Sequence, residues 1–462
     1  MEKPDLFSEF SETTSKAWKQ KIQVDLKGAD YNETLVWESP EGIKVKPFYN
    51  SEDITDLPLN SFPQENNWRI CQKIFSGNAI VANNKALDAI SRGAESIYFT
   101  VPSAETEIQE LLKGIDLAST PIYFDLQFLS EDYTRSILEL GKNKSAKIFL
   151  NIDIIGHLAR QGNWFFNLKE DHKKLDTIVS LGHATTLGVD MTLYQNAGAN
   201  ITQQLAYGLA HANEYLNHIN NTQKAGIQQH TITFIVAVGS DYFFEIAKLR
   251  ALRRLFASLA TEYGARPNCH IIAIPSKRNK TIYDYNTNML RTTTECMSAI
   301  LGEANTICNT PYDAIYHRDN EFAERMARNQ LLILKNESYF DKVNNPSSGS
   351  YYIESLTHQL ASKALDLFKL IEKGGGFLVQ LKEHQIQKKI KENAVKEEQL
   401  FNHQEKILVG TNKYSSKEDA MKDMLELYPF VKIKTRKTLI EPIIEKRLSE
   451  TLEQNRLKQE QA

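Results

Sequence analysis

Cysteine is scarce in this 462-residue chain: four in all, Cys71, Cys269, Cys296 and Cys308, with no two spaced as a CxxC pair. That excludes a disulfide framework and a structural zinc, and implies a reduced, cytoplasmic protein. Long apolar runs are missing too, so no stretch reaches the length needed to span a bilayer. The first residues, MEKPDLFSEFSETT, are acidic and lack the apolar core of a secretory signal. Neither sign of charge is in excess. With 55 Lys+Arg against 58 Asp+Glu the formal net charge is −3, which gives no electrostatic case for a nucleic-acid binder. No His/Cys/carboxylate cluster has metal-ligand spacing, and no Gly-x-Ser-x-Gly elbow is present. The triple glycine Gly374-Gly375-Gly376 follows a helical stretch instead of opening one, so it reads as a helix end and turn and not a phosphate loop.

What is present is a repeat. Met289 to Asp313 reads as a helix closed by Gly302 in the left-handed conformation, then a short apolar strand, Ala304 to Cys308. Seven earlier strands fit the same pattern: Trp68–Ile74, Ser96–Val101, Ile122–Leu126, Ala146–Ile152, Thr185–Met191, Thr231–Val238 and His270–Ile274. Helical stretches such as Lys85–Ser91, Ala104–Leu112, Ile201–Leu216 and Phe243–Ala260 separate most of them. Eight strands alternating with helices predict an α/β fold of the (β/α)8 barrel type. Ile97-Tyr98-Phe99, Ile122-Tyr123-Phe124 and Ile148-Phe149-Leu150 are bulky on both faces, which predicts a filled barrel interior.

The division expected is an amino-terminal arm over residues 1–38, a barrel over 39–378 and a charged helical carboxy-terminal extension over 379–462. The arm spaces Leu6, Phe7, Phe10, Trp18, Ile22, Val24 and Leu26 along a polar background, then adds Leu35-Val36-Trp37. Ile43 to Tyr49 alternates like a strand after a turn at Ser39-Pro40-Glu41-Gly42. Near the end, Ile440, Ile444, Leu448 and Leu452 recur every four residues, which predicts a helix over Ile440–Leu457 with a narrow apolar stripe for an intermolecular contact.

In such a barrel the site lies at the carboxyl ends of the strands. The loops there are Tyr194–Ala199, Gly239-Ser240-Asp241 and Ser276-Lys277-Arg278-Asn279-Lys280; the last, basic, could hold a phosphate but reads rather as a solvated surface loop. His183 and His270 fall at the opposite face; His157 is well placed but has no evident partner. Catalytic, cofactor-binding and metal-ligating residues are therefore expected to be none.

Several segments resemble the methylmalonyl-CoA mutase family: SPEGIKVKPFY from Ser39, QNAGANITQQLAY from Gln195, GSDYFFEIAKLRALRR from Gly239, NMLRTTTECMSAILG from Asn288, residues 319–334, NPSSGSYYIE from Asn345 and ILVGTNKY from Ile407. The resemblance implies a (β/α)8 barrel and the adenosylcobalamin-dependent interconversion of methylmalonyl-CoA and succinyl-CoA. It also implies departures. Catalytic chains of the family carry a Tyr-His pair where Thr192 and Leu193 stand here, and leucine cannot transfer a proton. Ser51 to Asn67 lacks the family's Pro/Gly/Arg-rich loop, Pro275–Asn279 replaces a Thr-Ser-Gly-Trp-Ser loop, and none of the 11 histidines sits in an Asp-x-His-x-x-Gly cobalamin motif. This combination is similar to the small (beta) subunit of the heterodimeric bacterial enzyme. It implies a non-catalytic barrel whose partner is the catalytic large (alpha) subunit, with adenosylcobalamin on that partner and none on this chain. The arm and the terminal helix are the expected contacts. A split acyl-CoA mutase with a separate cobalamin-binding subunit, and a scaffold or chaperone for a mutase, are the alternatives.

Overall fold

Side chains along the strands sort into two sets, as the two-residue period of a strand requires. The strands, in a computed structural model that describes residues 9–10, 13–55, 67–142, 145–222, 227–432 and 435–461, are ten. β1 (Trp37–Glu38) and β2 (Lys44–Val45) form a short antiparallel ribbon; Pro47 follows and the expected strand to Tyr49 stops at Val45. β3 (Arg69–Phe75), β4 (Ser96–Val101), β5 (Ile122–Leu126), β6 (Ile148–Phe149), β7 (Gly188–Asp190), β8 (Thr233–Val238), β9 (His270–Pro275) and β10 (Thr306–Cys308) form one parallel sheet in the order β6-β5-β4-β3-β10-β9-β8-β7. Its two ends meet. Leu150 N–H donates to Thr185 O at 2.9 Å, Ile152 N–H to Thr186 O at 2.9 Å, and Gly188 N–H to Ile152 O at 3.1 Å. The sheet is thus the closed (β/α)8 barrel expected.

One set of side chains faces out. Ile70, Ile74, Ile97, Phe99, Ile122, Phe124, Ile148, Val189, Phe234, Val236, Ile271 and Ile307 join the core shared with the surrounding helices. The other set faces in: Cys71, Tyr98, Tyr123, Ile235, Ile272 and Cys308, with Phe149 and Ile274 against them. Tyr98 stacks on Tyr123 at 6.3 Å and Phe149 packs on His270 at 4.4 Å, so the interior is filled at this level. The bulk of those strands was the signal.

Two glycines are dictated by close approach. A Cβ on Gly188 would lie 2.8 Å from Asn151 Cα and 3.0 Å from its carbonyl carbon, backbone atoms that cannot rotate away at the β6–β7 seam. Gly188→Ala should therefore cost about 1–3 kcal/mol of stability, read as an earlier urea midpoint. Gly302 ends the helix Thr287–Leu301, but not in the left-handed form expected: its φ is −82°, and the left-handed residue is Glu303 at +67°. A Cβ on Gly302 would crowd Leu249 Cβ at 3.0 Å and the Ser298 carbonyl oxygen at 3.1 Å.

The carboxy-terminal stretch differs from expectation. Helix is found over Gln385–Asn402 and Glu450–Gln461, and residues 440–449 are not helical. They run as an extended strap held by other elements: Ile440 N–H donates to Gly162 O, Ile443 to Ala159 O, Lys446 to Asn196 O and Leu448 to Arg278 O, at 2.8–3.0 Å. Pro442 could not have donated within a helix. Ile440 and Leu448 are buried against this chain's own core, while Ile444 is half exposed. The expected stripe on one helix face therefore does not exist. No helix among the described residues is long and apolar enough to cross a membrane.

Candidate functional site

Above the aromatic plug the inward positions turn polar. Lys73 lies in β3, Asp125 in β5, Asn151 follows β6, Asp190 ends β7 and Thr310 follows β10; with Tyr98, Ala237 and Ile274 they line a cavity of about 350 Å3 at the carboxyl end of the barrel. This is where barrel sites are built. The strap crosses beside it and sends Glu445 into its wall.

Glu445 and Asp190 hold Arg160 between them. Arg160 Nη1 donates to Glu445 Oε1 at 3.0 Å and Nη2 to Asp190 Oδ2 at 2.5 Å. Asn196 Nδ2 also reaches Glu445, at 3.3 Å, and Lys277 Nζ lies 3.5 Å from its other oxygen. Burial alone would raise the Glu445 carboxyl; the Arg160 and Lys277 charges outweigh it and hold it at about 2, so it is ionised at neutral pH. Asp190 Oδ1 accepts from Thr192 N–H and Oγ1. Asp153 is fully engaged. Oδ1 accepts from Gly156 N–H and Tyr215 OH at 2.7 Å and faces His211 Nε2 at 2.9 Å; Oδ2 accepts from Asp190 N–H. Burial works to raise this carboxyl, but His211 and the two backbone donors keep it below the ordinary value.

The loops singled out in the sequence are structural. Leu193 points into the core and Thr192 is bound to Asp190. Ser276, Arg278, Asn279 and Lys280 are buried, contrary to the solvated loop expected. Their cations already have carboxylates: Arg278 pairs with Glu397 at 2.5 Å and Lys280 with Glu295 at 2.8 Å, partners over a hundred residues away or on the next helix. Asn196, in the QNAGAN segment, accepts from Ser276 Oγ and Lys277 N–H and so fixes this loop. Asp241 is pushed up to about 6 by burial, then by Glu41 and Glu245. His183 bonds Ile148 O and His270 meets Tyr123 OH at 3.1 Å, both structural. Most of Ser51 to Asn67 lies outside the described residues. Among the described residues no group of three or more His, Cys, Asp or Glu is placed to hold a metal.

Lys73, Asp125, Asn151, Arg160, Asp190 and Glu445 escaped the sequence reading because no two are neighbours in the chain. The signal available was a polar residue at an inward position, as in the Lys73 of RICQKIF and the Asp125 of IYFDL.

His157 lines the cavity and stacks on Phe165 with centroids 3.5 Å apart. Burial, aided by Arg160 and Arg436 and opposed by Asp153, pulls it down to about 4. The unfolded ring titrates near 6.5, so between these values the unfolded chain holds a proton that the folded one does not. The stability His157 confers is complete above pH 6.5 and is lost as pH falls toward 4. Allowing for the ring's partial exposure, the loss is roughly 1–2 kcal/mol. His157→Phe keeps the stack and should flatten that part of the pH profile, measured as urea midpoints from neutral pH to about pH 4.

A closed parallel barrel with a polar cavity at the carboxyl end of its strands defines a (β/α)8 protein of the enzyme-barrel type. Residues 101–459 match the family model described as methylmalonyl-CoA mutase, and the chain belongs to that family. It is 35% identical over 460 residues to the methylmalonyl-CoA mutase small subunit of Porphyromonas gingivalis, covering 92% of this chain and 74% of that one. It is 29% identical to the small subunit of Streptomyces virginiae, over 82% of this chain and 66% of the other. To the P. gingivalis large subunit it is 31% identical, over 50% of this chain and 33% of that one.

Proposed function

We propose that this chain is the small, non-catalytic subunit of a heterodimeric methylmalonyl-CoA mutase, assembling with a catalytic large subunit that carries adenosylcobalamin. The observation that carries the reading is the state of the barrel mouth. Leu193, where the resemblance implies the histidine of catalytic chains, is buried and can transfer no proton. The mouth does not fit the family's cofactor either. The strap, cross-linked through Glu445 to Arg160 and Lys277, leaves a cavity of about 350 Å3, the size of a small metabolite and not of a corrinoid. No catalytic step is therefore derived for this chain. Its likeness to two small subunits supports the same reading.

The arm is proposed as the docking element. Its helix Ser15–Asp25 buries none of its residues; Phe10, Trp18 and Val24 are exposed, and Trp18 meets the edge of Phe48. The large subunit is the occupant this reading supplies. The purified chain, given adenosylcobalamin and methylmalonyl-CoA, should form no succinyl-CoA, and activity should follow addition of the large subunit. Turnover by the chain alone, with partner contamination excluded, would overturn the proposal.

A further inference from the structure

The groups at the top of the barrel are not all satisfied by one another. Asn151 is 8% exposed, and neither its Oδ1 nor its Nδ2 has a hydrogen-bond partner. Its φ is +47°, a left-handed conformation that asparagine tolerates at a cost, and it lies at an inward position in the cavity wall. A buried amide left unpaired costs about 1–3 kcal/mol, a cost that a polar group bound in the cavity would relieve. Two further groups stand in the same wall. Lys73 rests its ammonium over the Tyr98 ring at 5.1 Å and makes no ion pair among the described residues. Asp125 accepts from Gln127 Nε2 at 2.7 Å and Thr100 Oγ1 at 3.3 Å and makes no ion pair among the described residues, Lys73 being the foremost charge acting on it from a distance. The other charges here have partners: Arg160 has Asp190 and Glu445, Lys277 has Glu445, and Asp153 accepts from Tyr215 OH and the backbone of Gly156 and Asp190.

We propose that this cavity binds a small zwitterion of the amino-acid class, its carboxylate on Lys73, its ammonium on Asp125 and a further polar group on the Asn151 amide. The charges select the class. A dianion would meet Asp125, Asp190 and Glu445; a dication would meet Lys73 and Arg160; an apolar molecule would leave the amide unpaired. The volume, roughly a dozen waters, suits an amino acid and stands at the small end of ligand cavities. Such a ligand is not the acyl-CoA chemistry of the family, so the proposal stands or falls apart from the subunit role, which assembly with the partner reads.

The test is thermal denaturation of the full chain with each standard amino acid in turn, with succinate and putrescine as the dianion and dication. One or more amino acids should give a saturable rise in Tm, and neither comparator should. Lys73→Met and Asp125→Asn should each weaken that half-saturation by about ten-fold or more. Asn151→Gly, which suits the left-handed backbone and removes the amide, should leave the chain folded and abolish the saturable shift. No saturable shift with any amino acid, a shift unchanged in both charge variants, or an unchanged shift in a folded Asn151→Gly would overturn the site.

Discussion

Arg250→Met should destabilise the barrel by about 3–5 kcal/mol, the largest single-residue effect expected in this chain. Arg250 is fully buried on the helix Tyr242–Glu262. Its Nη2 donates to Glu354 Oε1 and its Nη1 to Asn345 Oδ1, both at 2.5 Å, and Glu303 lies 3.5 Å away. Methionine fills much of the volume but leaves Glu354 without its ion-pair partner and Glu303 with only Arg253 to offset its charge. Burial already pushes the Glu303 carboxyl up, and Arg250 is the foremost group holding it down. The cost arises from these acids, so Arg250→Met combined with Glu354→Leu should recover part of it. Urea midpoints of the single and double variants decide the matter; an unchanged midpoint in the single variant would show that the pair contributes little. The pair also explains two of the resemblances. Arg250 belongs to GSDYFFEIAKLRALRR, and Asn345 and Glu354 are the first and last residues of NPSSGSYYIE. These segments hold the barrel's helices together and do not touch the cavity.

Deleting residues 1–30 should abolish co-purification with the large subunit while leaving the barrel folded. The proposed arm buries little of itself: no residue of the helix Ser15–Asp25 is buried, and its hydrogen bonds to the rest of the chain run through Ser15 to Glu52 and Asn50. An isolated helix of that length is marginal in water, and exposed aromatic residues are favoured interface anchors. Trp37, half exposed, packs its edge on Phe244 at 5.8 Å and so belongs partly to the barrel; it lies outside the deletion. Two readings are taken together, pull-down with the large subunit and the melting profile of the truncated chain. Loss of pull-down with an unchanged melt is the expected pair of results. Undiminished pull-down would show the arm to be dispensable for assembly.

Much of the barrel was legible in the sequence because its strands are local objects. Ser96–Val101 and Ile122–Leu126 were read to the residue, since β-branched and aromatic side chains bounded by turn residues define them without help from distant partners. β6 and β7 proved shorter than Ala146–Ile152 and Thr185–Met191, because Asn151 turns left-handed and the ladder there falls to single hydrogen bonds across the seam. The strap was misread for the opposite reason. Its four-residue spacing of Ile440, Ile444, Leu448 and Leu452 mimics a helix, but its hydrogen bonds go to Gly162, Ala159, Asn196 and Arg278, which no local pattern reveals. Leu452, the one member that is helical, packs on Phe401, Leu408 and Leu448 of the same chain. The basic loop after β9 likewise looked solvated because Glu397 and Glu445, which accept its charges, lie far along the chain.

Assembly with a catalytic partner can be read by light scattering of the size-separated mixture of this chain with the large subunit. A stable complex with the mass of one copy of each chain is expected. Separate elution of the two chains at every mixing ratio would contradict it.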